Sequence, residues 1–218
     1  RPWMEKGYVT LHVIREQERF DGYYHNQFLV VNDCLHRYRF MAKWIFFFDV
    51  DEYIFLPGPN TSTITSVVDS LSDYTQFTIQ QMPMSNKLCL SSGHDDAGKT
   101  FRKWGIEKLV YREVKKGIRR DRKYAVQPRN VFGTGVHLSQ NIAGKTTHKT
   151  QGRIKYFHYH ATIAQRREPC RQLLPRTNVN VIVDGIPYVL DTTMRDAAAS
   201  VKSFELKMLG STLQTTRQ

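Results

Sequence analysis

The chain has 218 residues, 40% of them hydrophobic and 12% aromatic, which is enough for one sizeable globular core. No apolar run reaches the ~20 residues of a membrane-spanning helix, so a polytopic membrane protein is excluded for the residues present. A formal net charge of +12 points to a phosphate-bearing or polyanionic partner: nucleic acid, a nucleotide or an acidic polysaccharide.

In chain order, the opening residues lack the apolar stretch of a signal peptide, and residues 7–14, GYVTLHVI, alternate and are β-rich, predicting a strand. Phe28, Val31, Leu35, Tyr38 and Met41 recur every three or four positions, predicting a helix within residues 23–43. Residues 44–48, WIFFF, are apolar throughout, as in a central strand of a parallel sheet covered on both faces. A short helix is expected over 63–71 and a strand over 76–82. The Gly- and Asp-containing stretch 91–98, SSGHDDAG, reads as a loop. Residues 115–123 form the densest positive run, with Lys115, Lys116, Arg119, Arg120, Arg122 and Lys123. Strands are expected over 124–126, 131–137 and 154–160, and a helix over 191–209. The sequence shows neither an internal repeat nor a low-complexity linker.

Cys34, Cys89 and Cys170 are scattered and odd in number, which fits neither a zinc pattern nor a dense disulfide framework; one disulfide is allowed and none is required. The sequon Asn60-Thr61-Ser62 follows the turn signal Pro57-Gly58-Pro59, where an exposed loop would admit a glycan.

The stretch WIFFFDVDEYIFL, residues 44–56, sets Asp49, Asp51 and Glu52 within four positions, flanked by apolar residues. At the C-terminal end of a strand in an open α/β sheet, this is where ligands bind. Asp49 and Asp51 are two apart, so on an extended strand end they share a side. No basic residue stands near them in sequence, so two converging carboxylates call for a bound countercharge. A divalent cation that prefers oxygen ligands, Mn²⁺ or Mg²⁺, supplies it and would also neutralise a diphosphate. An arbitrary Asp-x-Asp more often opens a solvated turn or caps a helix; the apolar run before this one shifts the balance toward metal.

FDVDEYIFLP resembles the Asp-x-Asp motif of glycosyltransferases with the GT-A fold. LSSGHD, GIEKLVYR, KYAVQPRNVFGTGVH and IKYFHYHATI occur here in the order seen in glycosyltransferase family 92, with the likeness spread over residues 44–163. Within that family the chain is most similar to the plant β-1,4-galactan synthases. The resemblance implies an α/β fold: a GT-A-like, Rossmann-type mixed sheet with flanking helices. It also implies inverting transfer of galactose from UDP-galactose to galactan side chains of pectin, in the Golgi lumen, with Mn²⁺.

By position, Asp51 resembles the direct metal ligand and Asp49 the residue that reaches the metal or the ribose of the donor. Such enzymes usually complete the metal site with a late-strand histidine. His158 and His160 share a strand face, with His158 the better match to the family and His137 a third candidate that would otherwise line the acceptor groove. The bland alternative for a strand histidine is a packed core residue.

An inverting transfer needs a base for the acceptor hydroxyl, and a carboxylate is the usual choice in this fold class. WGIEK resembles the Gly-then-acid pattern that places such a base, so Glu107 leads, with Asp95 and Asp96 close behind. The bland alternative for Glu107 is a surface pair with Lys103 or Lys108. The run 115–123 would bind the donor diphosphate or an acidic acceptor, or would simply be a solvated loop. Tyr111, Tyr124, Trp104 and Tyr159 offer stacking faces for sugars, or else belong to the core.

Before Asp49 the chain has room for one strand and one helix, less than the nucleotide-binding βαβ unit of a GT-A domain. The expectation is therefore that residues 1–218 are the C-terminal portion of a catalytic domain, incomplete at the N-terminus. Its anchor would lie outside this sequence, and a homodimer or a separate N-terminal segment would complete it. No nucleic-acid partner is expected. The competing readings are a metal-dependent nuclease or phosphoryl-transfer enzyme and a non-catalytic polyanion-binding module.

Overall fold

A computed structural model describes residues 2–14, 26–58, 63–91, 103–114, 122–160 and 170–210. In chain order the elements are α1 (Pro2–Glu5), α2 (Gln27–Tyr38), β1 (Ile45–Phe47), β2 (Glu52–Phe55), α3 (Ile64–Asp69), β3 (Gln76–Pro83), β4 (Leu88–Leu90), α4 (Gly105–Lys108) and β5 (Tyr111–Glu113). They continue with β6 (Lys123–Val126), β7 (Val131–Gly133), β8 (Asn141–Ile142), β9 (Thr146–Thr147), β10 (Lys155–His158), β11 (Gln172–Leu174), β12 (Asn180–Val183), β13 (Ile186–Leu190) and α5 (Thr193–Leu209). None of the helices described is long and apolar enough to cross a membrane.

The main sheet runs β1-β6-β3-β10-β2, with β9 pairing the start of β3 on the side that β10 takes up further along. β10 lies parallel to β3, whereas β2 and β6 run antiparallel to their neighbours, so the sheet is mixed. One face carries Phe77, Ile79, Ala125, Ile154 and Tyr156, packed on Val67, Val68 and Leu71 in and after α3. α3 starts where it does because Thr63 and Ser66 form a reciprocal capping box. On the other face, Ile45, Phe47, Tyr124 and Val126 pack on Leu35 of α2, while Phe157 packs with α4 and α5 around Met194 and Ala198.

β1 and β2 follow one another in the chain yet form opposite edges of this sheet. Across a flat sheet their separation would be about 19 Å, four spacings of roughly 4.8 Å. The connection is only residues 48–51, and it is shortened by a turn in which Glu52 N donates to Asp49 O at 3.1 Å. The sheet therefore curls around the Phe77–Tyr156 face and brings its edges together.

Three smaller sheets complete the fold. β12-β13-β5 surrounds Tyr111, Val110 and Tyr188, β11 pairs with β4, and β7 with β8. Asp184 and Gly185 both take positive φ, 51° and 75°, and join β12 to β13 as the two-residue loop that an Asp-Gly pair favours. Cys89 of β4 and Cys170 form a disulfide over a separation of 81 positions, and Cys34 is free.

Several expectations are corrected. The apolar run 44–48 is covered on both faces as expected, but it forms an edge strand of three residues paired antiparallel to β6, not a central parallel strand. Residues 9–14 carry no strand: Leu11 and Val13 are exposed, and no strand among the described residues pairs with them. The stretch 131–137 keeps strand structure only through Gly133, then becomes a loop. The sequon at Asn60 lies outside the described residues.

Candidate active site

Side chains on one face of a strand recur every second residue, and on four strands the apolar layer of the curled face gives way to a polar side chain, stepping by two residues from β6 to β3 and again from β3 to β10 and β2. Beyond Ile79 on β3 comes Gln81, and beyond Tyr156 on β10 comes His158. On the two strands that run the other way, Lys123 precedes Ala125 and Glu52 precedes Ile54. The result is a buried polar row across the end of the sheet, at the C-terminal ends of β3 and β10.

The row is internally paired. Lys123 Nζ, on a side chain only 4% exposed, lies 2.9 Å from Asp49 Oδ2 and 3.3 Å from Glu52 Oε2. Asp49 also accepts from Gln27 Nε2 at 2.8 Å, and its own N–H donates to Glu52 Oε2 at 2.8 Å. The Asp-x-Asp segment is thus a tight turn and not an extended strand end. Asp49 turns toward Lys123 and α2, whereas Asp51 turns toward β10. The countercharge inferred for the acid pair comes, for Asp49, from Lys123, a residue 74 positions away. Burial pushes the Glu52 carboxyl up to about 7, against the Asp49 N–H and Lys123, which favour its charged form.

Asp51 Oδ1 faces His158 Nε2 at 3.6 Å, with both side chains mostly buried. On the other side of the ring, Nδ1 meets Gln81 Nε2 at 2.6 Å and Glu52 Oε1 at 3.7 Å. The His160 ring packs against it, with centroids 3.7 Å apart. Burial first, then the neighbouring His160, hold the His158 pKa down at about 4, so the imidazole is neutral at physiological pH. Which nitrogen carries the proton is set by Gln81. With the amide nitrogen toward Nδ1, the proton sits on Nε2 and faces Asp51. With the amide turned over, its oxygen accepts from Nδ1–H and leaves Nε2 a lone pair for a cation.

Among the described residues, no group of three or more His, Cys, Asp and Glu side chains is gathered into a ready cation cage. Asp51 and His158 do form a fitting pair for Mn²⁺ or Mg²⁺: one carboxylate oxygen and one neutral imidazole nitrogen converge, a donor set that suits Mn²⁺ better than the all-oxygen preference of Mg²⁺. Asp49 is already engaged by Lys123 and Gln27, and exposed His160 stands beside the pair.

The remaining expected site residues lie elsewhere. Glu107 Oε2 accepts from Trp104 N at 2.6 Å, capping α4, and pairs with Lys202 Nζ of α5 at 2.6 Å. Its ion-pair partner is thus Lys202, not Lys103 or Lys108. The described contacts of Glu107 do not bring it to the acidic turn. Asp95 and Asp96 lie outside the described residues, as does the run 115–121. Its tail is described: Lys123 is buried in the row, and Arg122 donates to Thr78 Oγ1 at 3.3 Å. Tyr111, Tyr124 and Tyr159 are fully buried core residues rather than sugar platforms, and Trp104 lies beneath the Lys202 ammonium. His137 lines a cleft against α2.

Gln27, Gln81, Glu52 and Lys123 are the parts of this arrangement that sequence reasoning did not assign. For three of them a signal existed: each is the polar residue two positions from an apolar one on its strand.

The chain falls into a known class, the glycosyltransferases. Residues 1–199 match the model of glycosyltransferase family 92, and the chain is a member of that family. Over all 218 residues it is 63% identical to galactan beta-1,4-galactosyltransferase GALS2 and 62% identical to galactan beta-1,4-galactosyltransferase GALS3, both of Arabidopsis thaliana. It is 52% identical to galactan beta-1,4-galactosyltransferase GALS1 of the same plant over 211 residues, 96% of the chain. The chain spans 41–42% of the length of these relatives.

Proposed function

We propose that this chain carries the catalytic face of a β-1,4-galactan galactosyltransferase of GT-A type. It moves galactose from UDP-galactose to the end of a galactan chain with inversion. The observation that carries the reading is the buried polar row with Asp51 and His158 converging at its mouth, in a chain 62–63% identical to two galactosyltransferases. Asp51 and His158 would hold Mn²⁺, which supplies positive charge to the departing diphosphate. Lys123 and Gln27 fix Asp49, so the turn that presents Asp51 keeps one shape before donor arrives. A carboxylate takes the acceptor proton; Glu107 is engaged by the α4 cap and Lys202, which leaves Asp95 the leading candidate of the two.

The Cys89–Cys170 disulfide supports a compartment where such bonds persist, in keeping with work in the Golgi lumen on the galactan side chains of pectin. The nuclease reading gains no support, since the described residues hold no acidic cluster for a metal pair.

The test is a transfer assay with the full-length protein, a panel of UDP-sugars and β-1,4-galactotetraose, with and without Mn²⁺. UDP-galactose should be the preferred donor, and chelation should abolish chain extension. Preference for another sugar, or full activity in chelator, would overturn the reading.

A further inference from the structure

The loop after β7 is held from beneath by an unusual amount of buried polar structure. Gln76, fully buried on β3, clamps Ser139 at both backbone groups: its Nε2 donates to Ser139 O at 3.0 Å and its Oε1 accepts from Ser139 N at 2.8 Å. The Tyr124 hydroxyl, fully buried on β6, bonds Thr134 Oγ1 and Gly135 O. From α2, Asn32 Nδ2 donates to Thr134 O at 2.8 Å and Oδ1 accepts from Thr134 N at 2.9 Å. Buried side-chain networks are costly unless fully satisfied, and a stretch of irregular backbone gains nothing in core packing from one. What such a network secures is a surface of fixed shape, which lowers the ordering cost of binding.

That surface is one wall of an open cleft of about 550 Å³, within the range of roughly 300–1,000 Å³ of small-molecule sites, lined by Phe28, Asn32, Thr134, Gly135, His137 and Asn141 among others. Among the described residues no Asp, Glu, Lys or Arg lines it, a wall that suits a neutral polyol better than a phosphate or a uronate. Gly135 keeps the floor bare: a Cβ there would meet Leu138 O at 2.8 Å and the Phe28 ring at 3.6 Å. Phe28 is 37% exposed at the rim of the cleft. Phe28 follows Gln27, whose amide holds Asp49, so the first turn of α2 belongs to both the acidic turn and the cleft.

We propose that this cleft binds the non-reducing end of the acceptor, a neutral β-linked galactose chain. The assignment rests on the galactosyltransferase reading above. An open cleft lets a polymer enter from solvent, and the side-chain amides of Gln140 and Asn141 on its wall are of the kind that bonds sugar hydroxyls.

The test compares the full-length wild type with Phe28→Ala, at the exposed rim, and Gly135→Val, whose Cβ would press on Leu138 O and deform the wall. The thermal midpoint serves as the folding control, so Phe28→Ala still decides the matter if Gly135→Val fails to fold. Titration with β-1,4-galactotetraose should show at least a tenfold rise in Kd for Gly135→Val and a severalfold rise for Phe28→Ala, with acceptor KM rising in step and donor KM within twofold. Unchanged tetraose binding in folded variants overturns the proposal, as does a rise in donor KM with acceptor KM unchanged. The two readings fail separately. Tetraose bound at the cleft by a wild type that transfers no galactose removes the enzymatic reading and leaves the cleft a sugar site. Transfer unaffected by either variant removes the cleft alone.

Discussion

Lys123 is the residue on which the geometry of the row depends. Its ammonium lies between Asp49 and Glu52, and the Glu52 carboxylate beside it is 1% exposed. Above the Glu52 value of about 7, Lys123→Met would leave that carboxylate buried without its cation, a change that costs up to about 3–5 kcal/mol and less at lower pH, where the carboxyl takes up a proton, whereas the arm to the more exposed Asp49 contributes little. Urea denaturation should show a loss of that size. Adding Glu52→Gln to Lys123→Met should recover part of it, because the charge left alone is then gone. Equal stability of wild type and Lys123→Met would contradict the pairing. Asp51 and His158 were legible in the sequence, one from its motif and one from its place on a late strand. Lys123 was read only as the end of a positive run; its place two residues from Ala125 was a faint signal, and the pairing of β6 with β3 turns it inward.

At the scale of elements, Glu107 shows how one side chain can hold two helices. It caps α4 through Trp104 N and clips α4 to α5 through Lys202, which also lies 4.9 Å from the Trp104 ring centroid. Glu107→Gln keeps an acceptor for the cap and loses the ionic pair, so the expected result is a stability loss of about 1–2 kcal/mol with transfer retained. A fall in kcat of ~10²–10⁴-fold at unchanged donor KM would instead assign the acceptor base to Glu107. α2, α3, β3 and β10 were legible from the pattern of apolar residues, with ends shifted by a few residues. The β12–β13 hairpin carried a plain signal, Asp184-Gly185 between two apolar alternating runs, which went unread beside the stronger helical pattern after it. The strand expected over 7–14 failed because alternation specifies a strand only where a partner edge exists, and none among the described residues pairs with it.

For the whole molecule, the mixed α/β character and the place of the acidic residues at one end of the sheet were readable, but the turn they form and the curl were not. A run such as WIFFFDVDEYIFL reads as one strand and its continuation; that its halves become opposite edges follows only from which strands insert between them. The curl brings Lys123 of β6 to Asp49 and Glu52, while the pairing of β2 with β10 sets Asp51 beside His158. The central claim is that this convergence is a cation and donor site. Titration calorimetry of UDP onto the full-length protein, with and without Mn²⁺, tests it most directly on the wild type, Asp51→Ala and His158→Ala. The account predicts that Mn²⁺ tightens UDP binding at least tenfold in the wild type and not in either variant, with the thermal midpoint of each still showing a folded protein. Wild-type, Mn²⁺-dependent UDP affinity in Asp51→Ala would contradict it.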